Sequence, residues 1–186
     1  VIEIQEYVGW PIRRLILPNE EQVICLYCKT GNEPELNLYD ANHNVFRLDK
    51  DGNVVWQITR IDDPVVNWKY LHQLAREEGR RGWIDPFTQF RVYREDGSVI
   101  IERHPPTEKP DWRGYYRYFG VDEYGKLRNL VTKKPPPYTE ALPDVVAWQP
   151  GYRVELFALG IGSLLFELDV ETGVATEITP KGQRPW

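Results

Sequence analysis

The chain has 186 residues, 41% hydrophobic and 27% charged, a length and balance that suit one soluble domain, 1–186, able to bury a core. Its formal net charge of −5 argues against general affinity for nucleic acid, where phosphate neutralisation by Lys and Arg supplies most of the binding. No apolar run approaches bilayer length, and VIEIQEYVGW at the start lacks both the basic end and the apolar stretch of a signal peptide, so no membrane and a cytoplasmic location are expected.

Aromatic residues make up 13% of the chain, with seven Trp and eleven Tyr, which favours strands and contact surfaces over a helical bundle. The first strand candidate with chemical interest is VICLYCKT, which carries Cys25 and Cys28. Strand neighbours three apart point to opposite faces, so a disulfide between them would need a broken strand. A zinc site would need a second ligand pair, and His43, His72 and His104 are not spaced to give one. Both cysteines read as buried structural thiols, and no metal or cofactor is expected.

ELNLYD, residues 35 to 40, is a further strand candidate, followed by DANHNVFRLDKD, which mimics the spacing of a calcium loop with Asp40, Asn42 and Asn44. The likeness fails where that chemistry is strict: Val45 stands where the sharp bend needs Gly, and Asp51 where a bidentate Glu is needed. NVFRLDKDGNVVWQI, residues 44 to 58, is the clearest hairpin signal, since Gly52 can take the positive φ that a tight turn demands. The phrase returns at 163 to 178 as SLLFELDVETGVATEI around Gly173, preceded by another strand candidate, RVELFAL. Looser versions are FRVYREDGSVII at 90 to 101, turning at Gly97, and YFGVDEYGKLRNLV at 118 to 131, turning at Gly125. The two outer phrases, sharing Phe-x-Leu-Asp, resemble blades of quinoprotein-type propellers, and that resemblance implies repeated β-meanders.

One segment departs from this grammar. In DDPVVNWKYLHQLAREEGRRG, residues 62 to 82, Asp63 reads as an N-cap, Pro64 as the first helical residue and Gly79 as the stop. Trp68, Leu71, Leu74 and Ala75 would share the buried face of an amphipathic helix over about 64–78, with Lys69, Gln73, Arg76 and Glu77 outward. The fold class expected is therefore mainly β, an antiparallel sandwich or a curved, partly closed sheet built from hairpins, with one helix and a small propeller-like repeat as the alternative. HPPTEKP at 104 to 110 and KKPPPYTEALP at 133 to 143 mark joins, because proline removes ladder donors. The second join leads to a C-terminal hairpin expected to rejoin the main sheet.

Chemistry is thinly signalled. Ser98 and Ser163 are the only serines and neither lies in Gly-x-Ser-x-Gly, while GIGS at 160 to 163 lacks the third glycine and helix of a phosphate loop. The Pro-Pro-x-Tyr at 135 to 138 matches a ligand of WW domains and reads as a stiff linker. The strongest signal is DWRGYYRYFG, residues 111 to 120. Taken as extended chain, it puts Trp112, Tyr116 and Tyr118 on one side and Arg113, Tyr115, Arg117 and Phe119 on the other. Between Arg103 and Lys134 eight Lys or Arg face four acids, so this stretch is basic within an acidic chain. Large rings interleaved with arginine are what interface hot spots use.

The function expected is non-enzymatic binding of a macromolecule, a protein before a nucleic acid, through the 103–134 surface, with Trp112, Arg113, Tyr116, Arg117, Tyr118 and Arg128 as the binding residues. A hydrolase or small-ligand pocket using His104 and nearby carboxylates is the alternative. A homo-oligomeric assembly, acidic surface against basic strip, is the third.

Overall fold

The computed structural model describes residues 11–26, 38–60, 70, 73, 77, 86–106, 109–121, 127–158 and 164–179. Strand accounts for 51% and helix for 6% of them. In chain order the elements are β1 (Pro11–Ile16), β2 (Gln22–Leu26), α1 (Leu38–Asn42), β3 (Val45–Leu48), β4 (Val54–Gln57), β5 (Thr59–Arg60), β6 (Phe87–Tyr93) and β7 (Glu102–His104). They continue as β8 (Tyr116–Val121), β9 (Leu127–Thr132), β10 (Thr139–Ala141), β11 (Val145–Ala147), β12 (Arg153–Ala158), β13 (Leu164–Leu168) and β14 (Val174–Glu177).

Two five-stranded sheets form the body, one in the order β11-β1-β2-β3-β4 and the other β5-β14-β13-β12-β6. The second curls into an open half-barrel, the curved form of the expected architecture. Two two-stranded ribbons, β10-β7 and β8-β9, complete the described strands. Sheets of five, two, five and two strands are not the equal blades that a propeller needs. Pairing is antiparallel except at β1 with β11 and β14 with β5, where segments distant in sequence are added at sheet edges in parallel.

Both large sheets drain into one buried cluster. Leu15, Val23, Cys25 and Val45 come from the first sheet, and Phe87, Phe90, Val154, Leu156, Phe166 and Ala175 from the second. The alternation in β12 shows why: Val154, Leu156 and Ala158 are buried while Arg153, Glu155 and Phe157 between them are only partly so, as the two-residue period of a strand requires. The side left outside carries a cross-strand polar network. Arg91 Nη1 donates to Tyr93 Oη at 2.6 Å, Tyr93 donates to Glu155 at 2.9 Å, and Arg153 binds Glu155 and Glu167.

A buried asparagine joins the two sheets. The Asn44 carboxamide donates to the carbonyls of Leu26 at 2.8 Å and Phe87 at 2.9 Å, and accepts the Phe87 N–H at 2.9 Å. It therefore pairs with Phe87 as a strand backbone would, tying the end of β2 to the start of β6. Nearby, the fully buried Arg60 lies with its guanidinium carbon 5.1 Å from the ring centres of both Phe87 and Phe166 and donates to the Asn42 carbonyl. Desolvated contacts of a guanidinium with ring faces are among the stronger of their kind.

The hairpins of the two outer phrases form as β3–β4 and β13–β14, and the β13–β14 turn meets residues of β3, β4 and β5. Thr59 N donates to Gly173 O, and Arg47 reaches from β3 to the Val170 carbonyl and the Glu171 carboxylate. Gly173 has φ +75°, and a Cβ there would stand 2.6 Å from Trp56 Cδ2. Gly52 has a similar φ of +86° but open space around it. The Gly97 turn forms as well, although its outgoing limb makes only an isolated bridge, Tyr93 to Val99. β8 pairs with β9 through the third phrase, whose Gly125 lies outside the described residues.

One local reading changes. ELNLYD is not a strand where it is described, since Leu38–Asn42 is helical. Locally, Tyr39 stacks on the buried His43 at 4.0 Å and His43 Nδ1 bonds the Tyr39 carbonyl; from the rest of the fold, Gln57 donates to the buried Asp40. Of the helix expected at 64–78 only Tyr70, Gln73 and Glu77 are described; all three are helical and exposed, and Gln73 donates to Glu77. The rest of that segment lies outside the described residues.

Four turns share one device, an Asp carboxylate that accepts backbone N–H groups ahead of a left-handed glycine: Asp49 with Gly52, Asp96 with Gly97, Asp111 with Gly114 and Asp169 with Gly173. Hydrogen bonds to the charged form hold the carboxyls of Asp49, Asp96 and Asp169 below the usual aspartate pKa, chiefly through Asn53, Ser98 and Thr172 respectively. A lowered folded-state pKa stabilises the fold above the unfolded value and loses that contribution as pH falls through the folded one.

Two predictions follow from these contacts. Gly173→Ala forces both a strained φ and a collision with the Trp56 ring, so it should cost roughly 2–4 kcal/mol in urea unfolding, against about 1 kcal/mol for Gly52→Ala. Equal losses would mean that the Gly173 turn does not pack against the Trp56 ring. The triple variant Asp49→Asn, Asp96→Asn, Asp169→Asn should lie below the parent in urea midpoint at pH 7, with the difference closing as pH drops below about 4. A difference independent of pH would remove the carboxylates from the explanation.

Candidate binding surface

Between β6 and β11 the chain leaves the body and builds both two-stranded ribbons. β7 pairs with β10 through Glu102–Ala141, Arg103–Glu140 and His104–Thr139. β8 pairs with β9 over six consecutive residue pairs without a shift. Among the described residues of this excursion, Ile100 packs against the shared core cluster, and none of the four ribbon strands contributes a member to it.

The reading of 111–115 as extended chain is corrected. Asp111 N donates to Tyr115 O at 2.6 Å and Gly114 N to Asp111 O at 2.9 Å, so these residues close a tight turn, and Pro110 bridges Tyr116 beneath it. Gly114, at φ +77°, supplies the left-handed residue, and the Asp111 carboxylate accepts from the N–H groups of Arg113 and Tyr115. Trp112 and Arg113 consequently occupy the tip rather than strand positions alongside Tyr116. Trp112 is 87% exposed, and the Arg113 guanidinium lies 4.6 Å from its ring centre.

From Tyr116 onward alternation holds. Tyr116 and Tyr118 share one face of the ribbon, half-buried, with Leu130 and Arg128 on the same face of β9. Arg117 projects from the other face, opposite Val131, and its guanidinium stands 3.8 Å from Asp111. The structure thus groups Tyr116, Tyr118 and Arg128 on one side, places Arg117 on the other, and sets Trp112 and Arg113 at the head of the turn. Around them lie further exposed side chains, of which Leu130 and Val131 were not singled out from the sequence. Leu130 and Val131 are exposed, Arg103 stacks 4.5 Å from the ring of the exposed Tyr138, and Lys133 lies 5.9 Å from the Tyr115 ring. The phrase LRNLVT was legible as a strand, but its pairing with β8 alone among the described strands was not.

The other candidates go elsewhere. His104 Nε2 is 3.3 Å from Glu102, yet both side chains are about half exposed on β7, the arrangement of a solvated pair. Ser98 donates through both N and Oγ to Asp96 and belongs to its turn, while Ser163 and the GIGS phrase lie outside the described residues. Asp40 and Asn44 are spent on Gln57 and on the sheet junction rather than converging on an ion. Cys25 is buried, with Sγ 3.5 Å from the Phe87 carbonyl; Cys28 lies outside the described residues. Among the described residues no His, Cys, Asp and Glu cluster could hold a metal, and no helix is long and apolar enough to cross a membrane.

No family model, curated protein or solved structure matches the chain. Functional inference accordingly stands on the geometry of the site alone.

Proposed function

We propose that this chain is a non-enzymatic binding protein that engages a protein partner through the aromatic and basic surface of residues 103–134. The observation that carries the reading is Trp112. A residue of that size at 87% exposure contributes nothing to the chain's own core, yet the turn that presents it is fixed by Asp111 and Gly114. A ring held in place before binding loses little entropy on contact, and Trp, Tyr and Arg are the residues that dominate interface energetics. Arg113 stacks on Trp112, Arg117 and Arg128 are exposed, and Tyr116 and Tyr118 offer half-buried rings behind them. The local excess of Lys and Arg within a chain of net charge −5 adds steering toward an acidic partner.

The hydrolase alternative rests on the His104–Glu102 pair, whose exposure deprives it of the desolvated setting that general acid–base chemistry uses. Replacing Trp112 or Arg117 with Ala should leave the free energy of urea unfolding within about 0.5 kcal/mol of the parent, since neither side chain is buried. The same variants should lose a partner that the parent chain retains in affinity capture. Unfolding of both variants, or capture unaffected by either, would defeat the reading.

A further inference from the structure

The proline run between β9 and β10 lies at the surface and is anchored at both ends. β9 finishes at Thr132, whose Oγ1 accepts from Lys134 N at 3.3 Å. β10 begins at Thr139, which pairs with His104 and donates through Oγ1 to the His104 carbonyl. Residues 133–138 between them form neither strand nor helix. Pro135 and Pro137 are exposed, and Pro136 is half-buried. Tyr138 is 39% exposed, with the Arg103 guanidinium 4.5 Å from its ring centre.

Covalent sterics prepare this segment for one kind of reader. A proline ring fixes its own φ, and the residue before a proline is pushed into extended or polyproline backbone. Lys134, Pro135 and Pro136 are each followed by a proline and are confined in this way. Little conformational freedom is left to lose there when a partner holds them. In a polyproline helix, with about three residues per turn, Pro135 and Tyr138 come to one side. The chain bends at Pro137, the one proline of the three without another after it, so a single ψ sets whether Tyr138 falls in line with Pro135.

We infer that residues 135–138 are a ligand for a WW domain, whose aromatic-lined groove reads Pro-Pro-x-Tyr. The inference goes beyond the 103–134 surface and does not rest on it. Pro135 and Pro136 would pack on the rings of the groove and Tyr138 would be the second anchor, with Pro137 at the unread position. Spacing decides between proline readers. An SH3 groove takes Pro-x-x-Pro, and the prolines of residues 133–143 stand at 135, 136, 137 and 143, no two of them three apart. The other proline pair, Pro105 and Pro106, has Glu108 where the tyrosine is needed.

The test is titration of a fluorescently labelled, recombinant WW domain of the Pro-Pro-x-Tyr-reading class with the intact chain. Saturable one-to-one binding is expected. Tyr138→Ala and Pro135→Ala should each weaken it at least about tenfold, and Pro137→Ala less than about threefold. Trp112→Ala should leave it unchanged. The free energy of urea unfolding is measured for every variant. Should Tyr138→Ala lower it through the lost Arg103 stack, Pro135→Ala, at an exposed position outside the strands, carries the comparison with Pro137→Ala.

No saturable binding by the parent, equal losses at Pro135 and Pro137, binding retained by a folded Tyr138→Ala, or an SH3 domain bound as tightly as the WW domain would each overturn the inference. Loss of WW-domain binding in Trp112→Ala would overturn it too, by moving the contact to the aromatic turn. Partner capture that depends on Trp112 is read on a different variant, so either result can fail while the other stands.

Discussion

A single buried carboxamide governs how this chain is put together. Asn44 sits between β2 and β6, and all of its principal hydrogen-bonding capacity is taken by backbone of those two strands. Buried polar groups are costly unless paired, and a fully paired one fixes a single arrangement of the elements around it. The two large sheets therefore meet in one register, and Phe87, whose backbone Asn44 holds, can place its ring edge-on to Phe166 and beside Arg60. The second point of attachment is at the other end of the hairpin that follows. There Trp56 covers Gly173, and Arg47 ties β3 to the β13–β14 turn. Residues 42–60 thus act as a clasp between the sheets, polar at one end and aromatic at the other.

The four ribbon strands between β6 and β11 supply no described member of the buried cluster, and that segment's share in the core is Ile100 against the cluster and the buried Leu142. The ribbons β7–β10 and β8–β9 fold against each other and the body through short pairings and Asp-anchored turns, and their large rings remain partly or wholly outside. A segment with its own backbone pairing, few buried apolar side chains and a concentration of cations is well suited to recognition, because a change in its side chains leaves the packed cluster untouched. Trp112 is exposed on a turn whose backbone N–H groups are held by the Asp111 carboxylate.

The repeated hairpin phrase was the most legible feature of the sequence. Asp followed by Gly between β-rich runs has a local cause, the positive φ of the turn, so Gly52, Gly97 and Gly173 could be placed without knowing the fold. The same Asp-x-x-Gly wording in Asp111–Gly114 was missed because the aromatic run around it reads as continuous strand; the Asp carboxylate, not ring alternation, decides that stretch. Helix α1 was illegible for a different reason. Its five residues have no helical period and are held by the stack on His43 and by Gln57, which only the folded chain supplies. Asn44 and Arg60 likewise look like ordinary turn and strand residues until the sheets are assembled.

Native-state hydrogen exchange tests the central claim most directly, since it resolves which strands open together. If Asn44 and the clasp make the two large sheets one cooperative unit, amides of β2 and β12 should exchange through the same global opening, with the same free energy and the same dependence on denaturant. Those of β8 and β9 should exchange through a smaller, independent opening. Separate opening energies for β2 and β12, with Phe87 N–H exchanging ahead of both, would show that the sheets are only neighbours and would contradict the account.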